Sequence, residues 1–235
     1  MLSLEHVYTA CSFFFCFYRE AGIMKGNIND SCMKQGCLTY TDEKGGLIML
    51  ELKLKSGEVK QCEAGAYVHE LLEAWNVKEA VYAVTLDGKL HDLNYRIKKS
   101  GALDYIYADS ETGKLIYERS LNFLFIVAVR SLFPDARVRM EHALSGGQYC
   151  EIDKEGYCKP QDVRKIEKRM KELIAANEVI HRRVVATAEA QAYFDRLGMK
   201  NKANLLACRK SATSSIYTLC GYDDYFYGIM LPDTS

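Results

Sequence analysis

Tyr117-Glu118-Arg119-Ser120-Leu121-Asn122-Phe123 leads into an apolar run that closes at Leu132-Phe133-Pro134. Its pattern is the most telling in the chain. Leu121 and Phe123 to Val129 leave almost no polar side, so the pattern predicts a helix over Ser120 to Phe133 that lies in a core. Pro134 carries no amide hydrogen and marks its end. The other decisive stretch lies near the end of the chain: Asp224-Tyr225-Phe226-Tyr227-Gly228-Ile229-Met230-Leu231-Pro232.

Downstream of the apolar helix, Arg137 to Met140 and Gln148 to Ile152 read as strands joined through Ser145-Gly146-Gly147. Gln161 to Asn177 is an amphipathic helix with Val163, Ile166, Met170, Leu173 and Ile174 as its buried stripe. Arg164, Lys165, Lys168, Arg169 and Lys171 occupy the other side, where Glu167 and Glu172 are partners three or four residues away. That is the pattern of a solvated face. Val184-Val185 continues as a strand, and Ala188 to Leu197 is a short helix stopped at Gly198. Ser215 to Leu219 is a strand leading into a Tyr-rich loop.

Upstream, Met49 to Leu54 alternates as a strand and turns at Lys55-Ser56-Gly57-Glu58 into Val59 to Cys62. Tyr67, Val68, Leu71, Leu72 and Trp75 recur at helical spacing. Ala80 to Leu86 is a third strand, turning at Asp87-Gly88, and Ala102 to Ala108 a fourth. Three segments follow: an irregular extension over 1–48, a small α+β unit over 49–109 and a second α+β domain over 110–235. The extension holds an aromatic and Cys cluster and then the polar run Gly26 to Ser31. It is either a genuine extension or translated leader. Glu43-Lys44-Gly45-Gly46 can be encoded by a purine-rich ribosome-binding string, which would make Met49 the start.

The 235 residues suffice for two small domains with real cores, and 49% hydrophobic with 26% charged residues is ordinary for a globular protein. Thirty-one basic residues balance 31 acidic ones, which argues against binding nucleic acid by bulk charge and leaves a local basic face open. Nine Cys without a Cys-x-x-Cys pair predict reduced, mostly buried thiols and a cytoplasmic protein. No apolar run reaches the ~18–20 residues of a membrane span. Val7 to Tyr18 comes nearest, but Glu5 and His6 precede it in place of Lys or Arg.

The order of elements in 49–109, with Gly88-Lys89-Leu90-His91-Asp92-Leu93, resembles the TGS domain, a ubiquitin-like β-grasp module without catalytic residues. Leu132-Phe133-Pro134-Asp135-Ala136, Gly147-Gln148-Tyr149-Cys150-Glu151-Ile152-Asp153 and Glu167 to Ile174 resemble the second, editing domain (SAD domain) of threonyl-tRNA synthetases. The resemblance covers about residues 49–235. That family carries His-x-x-x-His where Arg119 and Phe123 stand, and Cys-x-x-x-His where Phe226 and Met230 stand. Arg, Phe and an isolated Met do not replace imidazole and thiolate in a metal site. The resemblance therefore implies the fold with its hydrolytic editing chemistry lost: no catalytic set, no metal and no cofactor.

The departures resemble a narrower group, nucleoside kinases of the uridine kinase and phosphoribulokinase type, which carry the same two domains. The matching residues are Arg119-Ser120-Leu121, Glu141-His142-Ala143-Leu144, Gln148-Tyr149-Cys150 and Asp224 to Gly228. The kinase itself is absent, since Gly113-Lys114 is followed by Leu115 and preceded by Ala108 and so makes no phosphate-binding loop. The chain is then expected to be the N-terminal regulatory or nucleotide-binding region of such an ATP-binding kinase, with its kinase domain missing. Its pocket would be lined by Arg119, Phe123, His142, Tyr149, Phe226, Tyr227 and Met230. The ligand would be a nucleoside, nucleotide or amino acid, with Arg119 pairing a phosphate or carboxylate.

Other candidates carry less. His142 alone, without a positioned nucleophile, reads as structural. Asp223 and Asp224 are adjacent and would face opposite ways on a strand, against a paired acid and base. Tyr222, Tyr225, Phe226 and Tyr227 form an aromatic cluster that either fills the former metal site or stacks a base. His69, His91 and His181 suggest no ligand set. Two alternatives to the regulatory reading stand: an editing hydrolase acting on mischarged tRNA, and a tRNA- or ribosome-binding module using the Arg164–Lys171 face.

Overall fold

The computed structural model describes residues 47–144 and 147–235. The readings of residues 1–46 and of the Ser145-Gly146 connection lie outside these residues. The chain is α+β and divides into two compact units. Among the described residues one comprises 47–118 with Ile229–Pro232, and the other Arg119–Gly228 with Asp233–Ser235.

In the first unit, β1 (Met49–Leu54) and β2 (Val59–Glu63) form an antiparallel hairpin. Strict alternation buries Leu50, Leu52 and Leu54, as the sequence pattern requires. The helix α1 (Val68–Ala74) places Val68 and Leu71 on the same core. At its start the Tyr67 amide donates to Glu70 Oε2 at 3.0 Å, and Tyr67 Oη accepts from Arg96 at 2.7 Å. β3 (Val81–Leu86), β4 (Lys89–His91) and β5 (Gly101–Tyr107) complete a sheet of order β2-β1-β5-β3-β4. β1 and β5 run parallel at its centre and the remaining neighbours run antiparallel, which with one packed helix is the β-grasp arrangement.

The sheet has five strands where the sequence suggested four. β4 is three residues long, too short for a period of two to show, and its pairing through the Asp87-Gly88 turn creates it. Both turn residues take positive φ, +51° and +76°, as a two-residue hairpin turn demands.

The helix α2 (Glu111–Leu132) begins nine residues before the expected Ser120, counting from 111. Ser110 explains the early start. Its hydroxyl accepts from the Gly113 amide at 3.0 Å and donates to the Tyr107 carbonyl at 2.6 Å, capping the helix. Gly113 has a packing reason to be glycine, since an added Cβ would run into the Tyr107 carbonyl oxygen. Gly113→Ala is expected to destabilise the chain by ~1–3 kcal/mol through overpacking, read by urea denaturation. No helix among the described residues is long and apolar enough to cross a membrane.

In the second unit, Leu121 and Phe123 to Val129 of α2 are buried. β6 (Arg137–Leu144) and β7 (Gly147–Asp153) form a hairpin with an irregularity between Met140 and Ala143. The helix α3 (Pro160–Ala176) buries Ile166, Met170 and Leu173 as its periodicity predicts. On its outer side Lys171 meets Glu167 at 2.8 Å and Arg169 meets Glu172 at 3.2 Å, the partners expected of a solvated face.

A second sheet of order β10-β9-β8 joins β8 (His181–Ala186), β9 (Thr213–Leu219) and β10 (Tyr222–Tyr225), all antiparallel. The helices α4 (Thr187–Arg196) and α5 (Lys200–Ala207) contribute Ala190, Phe194, Ala203 and Leu206 to a core with Ile216.

Two elements lie where the sequence shows no regular pattern. α5 has only two buried residues in eight and shows no stripe. β10 lies where a Tyr-rich loop was expected, because Asp223 and Asp224 depress strand propensity but gain tertiary partners. The thiols also differ in part: Cys62 and Cys150 are buried, while Cys208 and Cys220 are exposed.

Candidate functional site

The short strand β10 organises the site. Asp224 lies opposite Tyr217 and Asp223 opposite Thr218, so alternation sends the two carboxylates to opposite faces, as expected for neighbours on a strand. Asp223 is fully engaged. It accepts from Arg183, from the Tyr193 hydroxyl and from Thr218 Oγ1. That bond with Asp223, followed by burial, holds the Tyr193 phenol above its ordinary range.

Asp224 is different. It is 1% exposed. Its Oδ1 accepts from the Lys202 ammonium, carried by α5, and from the Tyr225 amide at 2.6 Å. Its Oδ2 is buried with no hydrogen-bond partner. Burial, and after it the charge of Arg130, push the Lys202 amine down to about 8. The Arg130 guanidinium itself lies 5.5 Å over the Tyr222 ring. A buried carboxylate oxygen without a donor is costly. An amine that titrates near neutrality can take up and return a proton.

The structure brings together three of the residues singled out in the sequence. The Phe226 ring stands 5.3 Å from that of Phe123, tilted by 60°. The Arg119 guanidinium lies against the backbone of Gly228, where an added Cβ would sit 2.8 Å from Cζ. Gly228 also has φ +106°, a conformation open to glycine alone. Its carbonyl accepts from the Tyr217 hydroxyl at 2.7 Å. The positions where the resemblance places imidazole and thiolate thus hold a benzyl pair and a guanidinium packed on a loop. No group of three or more His, Cys, Asp or Glu able to hold a metal ion occurs among the described residues.

The others are placed elsewhere. His142 is exposed and faces Tyr149 across the β6–β7 hairpin, with ring centres 5.5 Å apart. Tyr149 donates to Glu151 Oε1 at 3.3 Å. Tyr227 is 76% exposed and meets Arg209. Met230 is buried within Ile229–Pro232, a segment of the first unit. The expected aromatic cluster is divided: Tyr222 faces Arg130, Phe226 faces Phe123, and Tyr225 and Tyr227 face Arg209.

Sequence reasoning missed Lys202 and the role of Asp224. Lys202 sits in Lys200-Asn201-Lys202-Ala203-Asn204, where nothing in the pattern sets one lysine apart.

No family model matches the chain. Over 188 residues it is 31% identical to the threonine–tRNA ligase of Pelobacter propionicus, a match covering 79% of this chain and 30% of that protein. The threonine–tRNA ligases of Burkholderia lata and Burkholderia orbicola match over 189 residues at the same identity and coverage. The chain spans about 30% of the length of these curated relatives. Across 79% of its residues, then, this chain carries a threonyl-tRNA synthetase-like region.

Proposed function

We propose that the chain is a tRNA-directed region of the threonyl-tRNA synthetase type, whose second unit receives the aminoacylated adenosine end of a tRNA at the Lys202–Asp224 contact. The observation that carries this is the Oδ2 of Asp224, buried and without a hydrogen-bond partner, beside an amine at about 8. The ammonium of an esterified amino acid is a donor of the right charge for that oxygen. Recognition is the proposed role, because the four positions that resemble hydrolytic residues hold Arg119, Phe123, Phe226 and Met230. Such a role belongs in the cytoplasm.

The relatives named above are all threonine–tRNA ligases, which favours tRNA over the nucleoside-kinase affiliation suggested by Arg119-Ser120-Leu121 and Asp224 to Gly228. One observation favours a second reading, an editing hydrolase: the lowered Lys202 amine. In that reading water adds to the ester carbonyl and passes a proton to the amine. The departing ribose oxygen then takes a proton back.

Filter binding and deacylation of seryl-tRNA(Thr) by the full chain test both. Saturable binding, lost in Lys202→Met, with no faster release of serine is the expected result. Absence of binding at low salt would sink the proposal, and accelerated release of serine would establish the hydrolase instead.

A further inference from the structure

Tyr227 presents 76% of its surface to solvent, directly after Phe226. It is not an isolated ring. The Arg209 guanidinium carbon lies 5.2 Å from the Tyr227 ring centre and 5.7 Å from that of Tyr225. Arg209 also donates to the Tyr225 hydroxyl through Nη1, while its Nε is buried and without a hydrogen-bond partner. One planar cation thus lies over the solvent-open Tyr227 ring and is tied at its other side to the Tyr225 hydroxyl.

The backbone fixes this arrangement. Arg209 follows the end of α5, and its amide donates to the Leu206 carbonyl at 3.1 Å. Tyr225 ends β10 and packs on the core of Ala190, Phe194 and Ala203. Lys202 and Arg209 therefore reach β10 and the residues just after it from one helix and its exit, the first at Asp224 and the second at Tyr225 and Tyr227. Lys210 and Lys200, both exposed, add positive charge in the same segment.

We propose that Tyr227 and Arg209 form a stacking platform for an unpaired base of a single-stranded RNA 3′ end. The platform deepens the tRNA reading and rests on it. An exposed aromatic face and a guanidinium plane accept any base, and nearby cations meet the phosphates. A burial-driven role does not account for a ring left three-quarters exposed beside a cation. The platform would hold a base next to the terminal one.

The test uses the full chain and an RNA hairpin with a four-nucleotide single-stranded 3′ end, carrying 2-aminopurine in turn at each unpaired position. Stacking quenches 2-aminopurine. At one position the wild-type chain is expected to quench it, and Tyr227→Ala to abolish the quench and weaken binding about fivefold to a hundredfold. Tyr227→Phe, which keeps the ring, should retain both quench and affinity. Arg209→Lys, which keeps charge without the plane, should lose most of the quench.

Equal affinity and quench in wild type and Tyr227→Ala would overturn the platform. If Lys202→Met still weakened binding of seryl-tRNA(Thr), the tRNA reading would stand without it. Failure of the wild type to bind either RNA would remove both.

Discussion

Lys202→Met lowers the stability of the chain by about 3 kcal/mol, at the low end of the ~3–5 kcal/mol expected when one partner of a buried ion pair is removed. The low end applies because the lysine side chain keeps 31% exposure while Asp224 keeps 1%. The methionine leaves Asp224 with one amide donor and a buried charge. Lys202→Met combined with Asp224→Leu should recover most of the loss, because an apolar pair leaves no charge to desolvate. Urea midpoints of the two variants check this, and a double variant no better than the single would contradict it.

The same lysine predicts a pH signature. Its folded value of about 8 lies below the ordinary 10.5. Between those two values the unfolded chain holds a proton that the native lysine has released. Stability contributed by this group therefore rises with pH across that window and is flat below it. Lys202→Met should lack the rise. Equilibrium unfolding at a series of pH values from 7 to 11, compared between wild type and variant, isolates it.

Phe123→Ala costs ~3–5 kcal/mol, the usual loss for removing a buried aromatic side chain. Phe123 is 0% exposed, lies midway along α2 and meets the Phe226 ring. The helix supplies its own backbone hydrogen bonds, so the loss comes from cavity and packing. Phe123→His, which installs the residue type of the resembling family, should destabilise by ~1–3 kcal/mol and not confer hydrolysis, since it buries an imidazole without a partner. Thermal unfolding reads the first effect and deacylation of seryl-tRNA(Thr) the second. Rapid deacylation by Phe123→His alone would show that the benzyl pair is all that blocks the chemistry.

Strongly periodic elements were legible in the residues. Leu50, Leu52 and Leu54 alternate, and Ile166, Met170 and Leu173 form a stripe, so β1 and α3 appear where expected. Elements with weak internal pattern were not. β4 is three residues long, α5 buries two residues in eight, and β10 reads as polar. Each forms because a neighbouring strand or core supplies what its own residues lack. The site divides the same way. The loss of imidazole and thiolate at Arg119, Phe123, Phe226 and Met230 could be counted along the chain. The ring contact of Phe123 with Phe226 could not, because it joins distant parts of the chain and exists only once the unit is packed.

From the order of residues alone came the α+β class and the residue types at Arg119, Phe123, Phe226 and Met230, because periodicity and residue type are local properties. The contact between Lys202 and Asp224 is not local. The two lie 22 residues apart, separated by the rest of α5 and the whole of β9. Solvent exclusion around their charges arises when the helix folds over the sheet edge, and a lowered amine and an unsatisfied oxygen exist only after that burial. Packing therefore settles which of many lysines becomes chemically distinct.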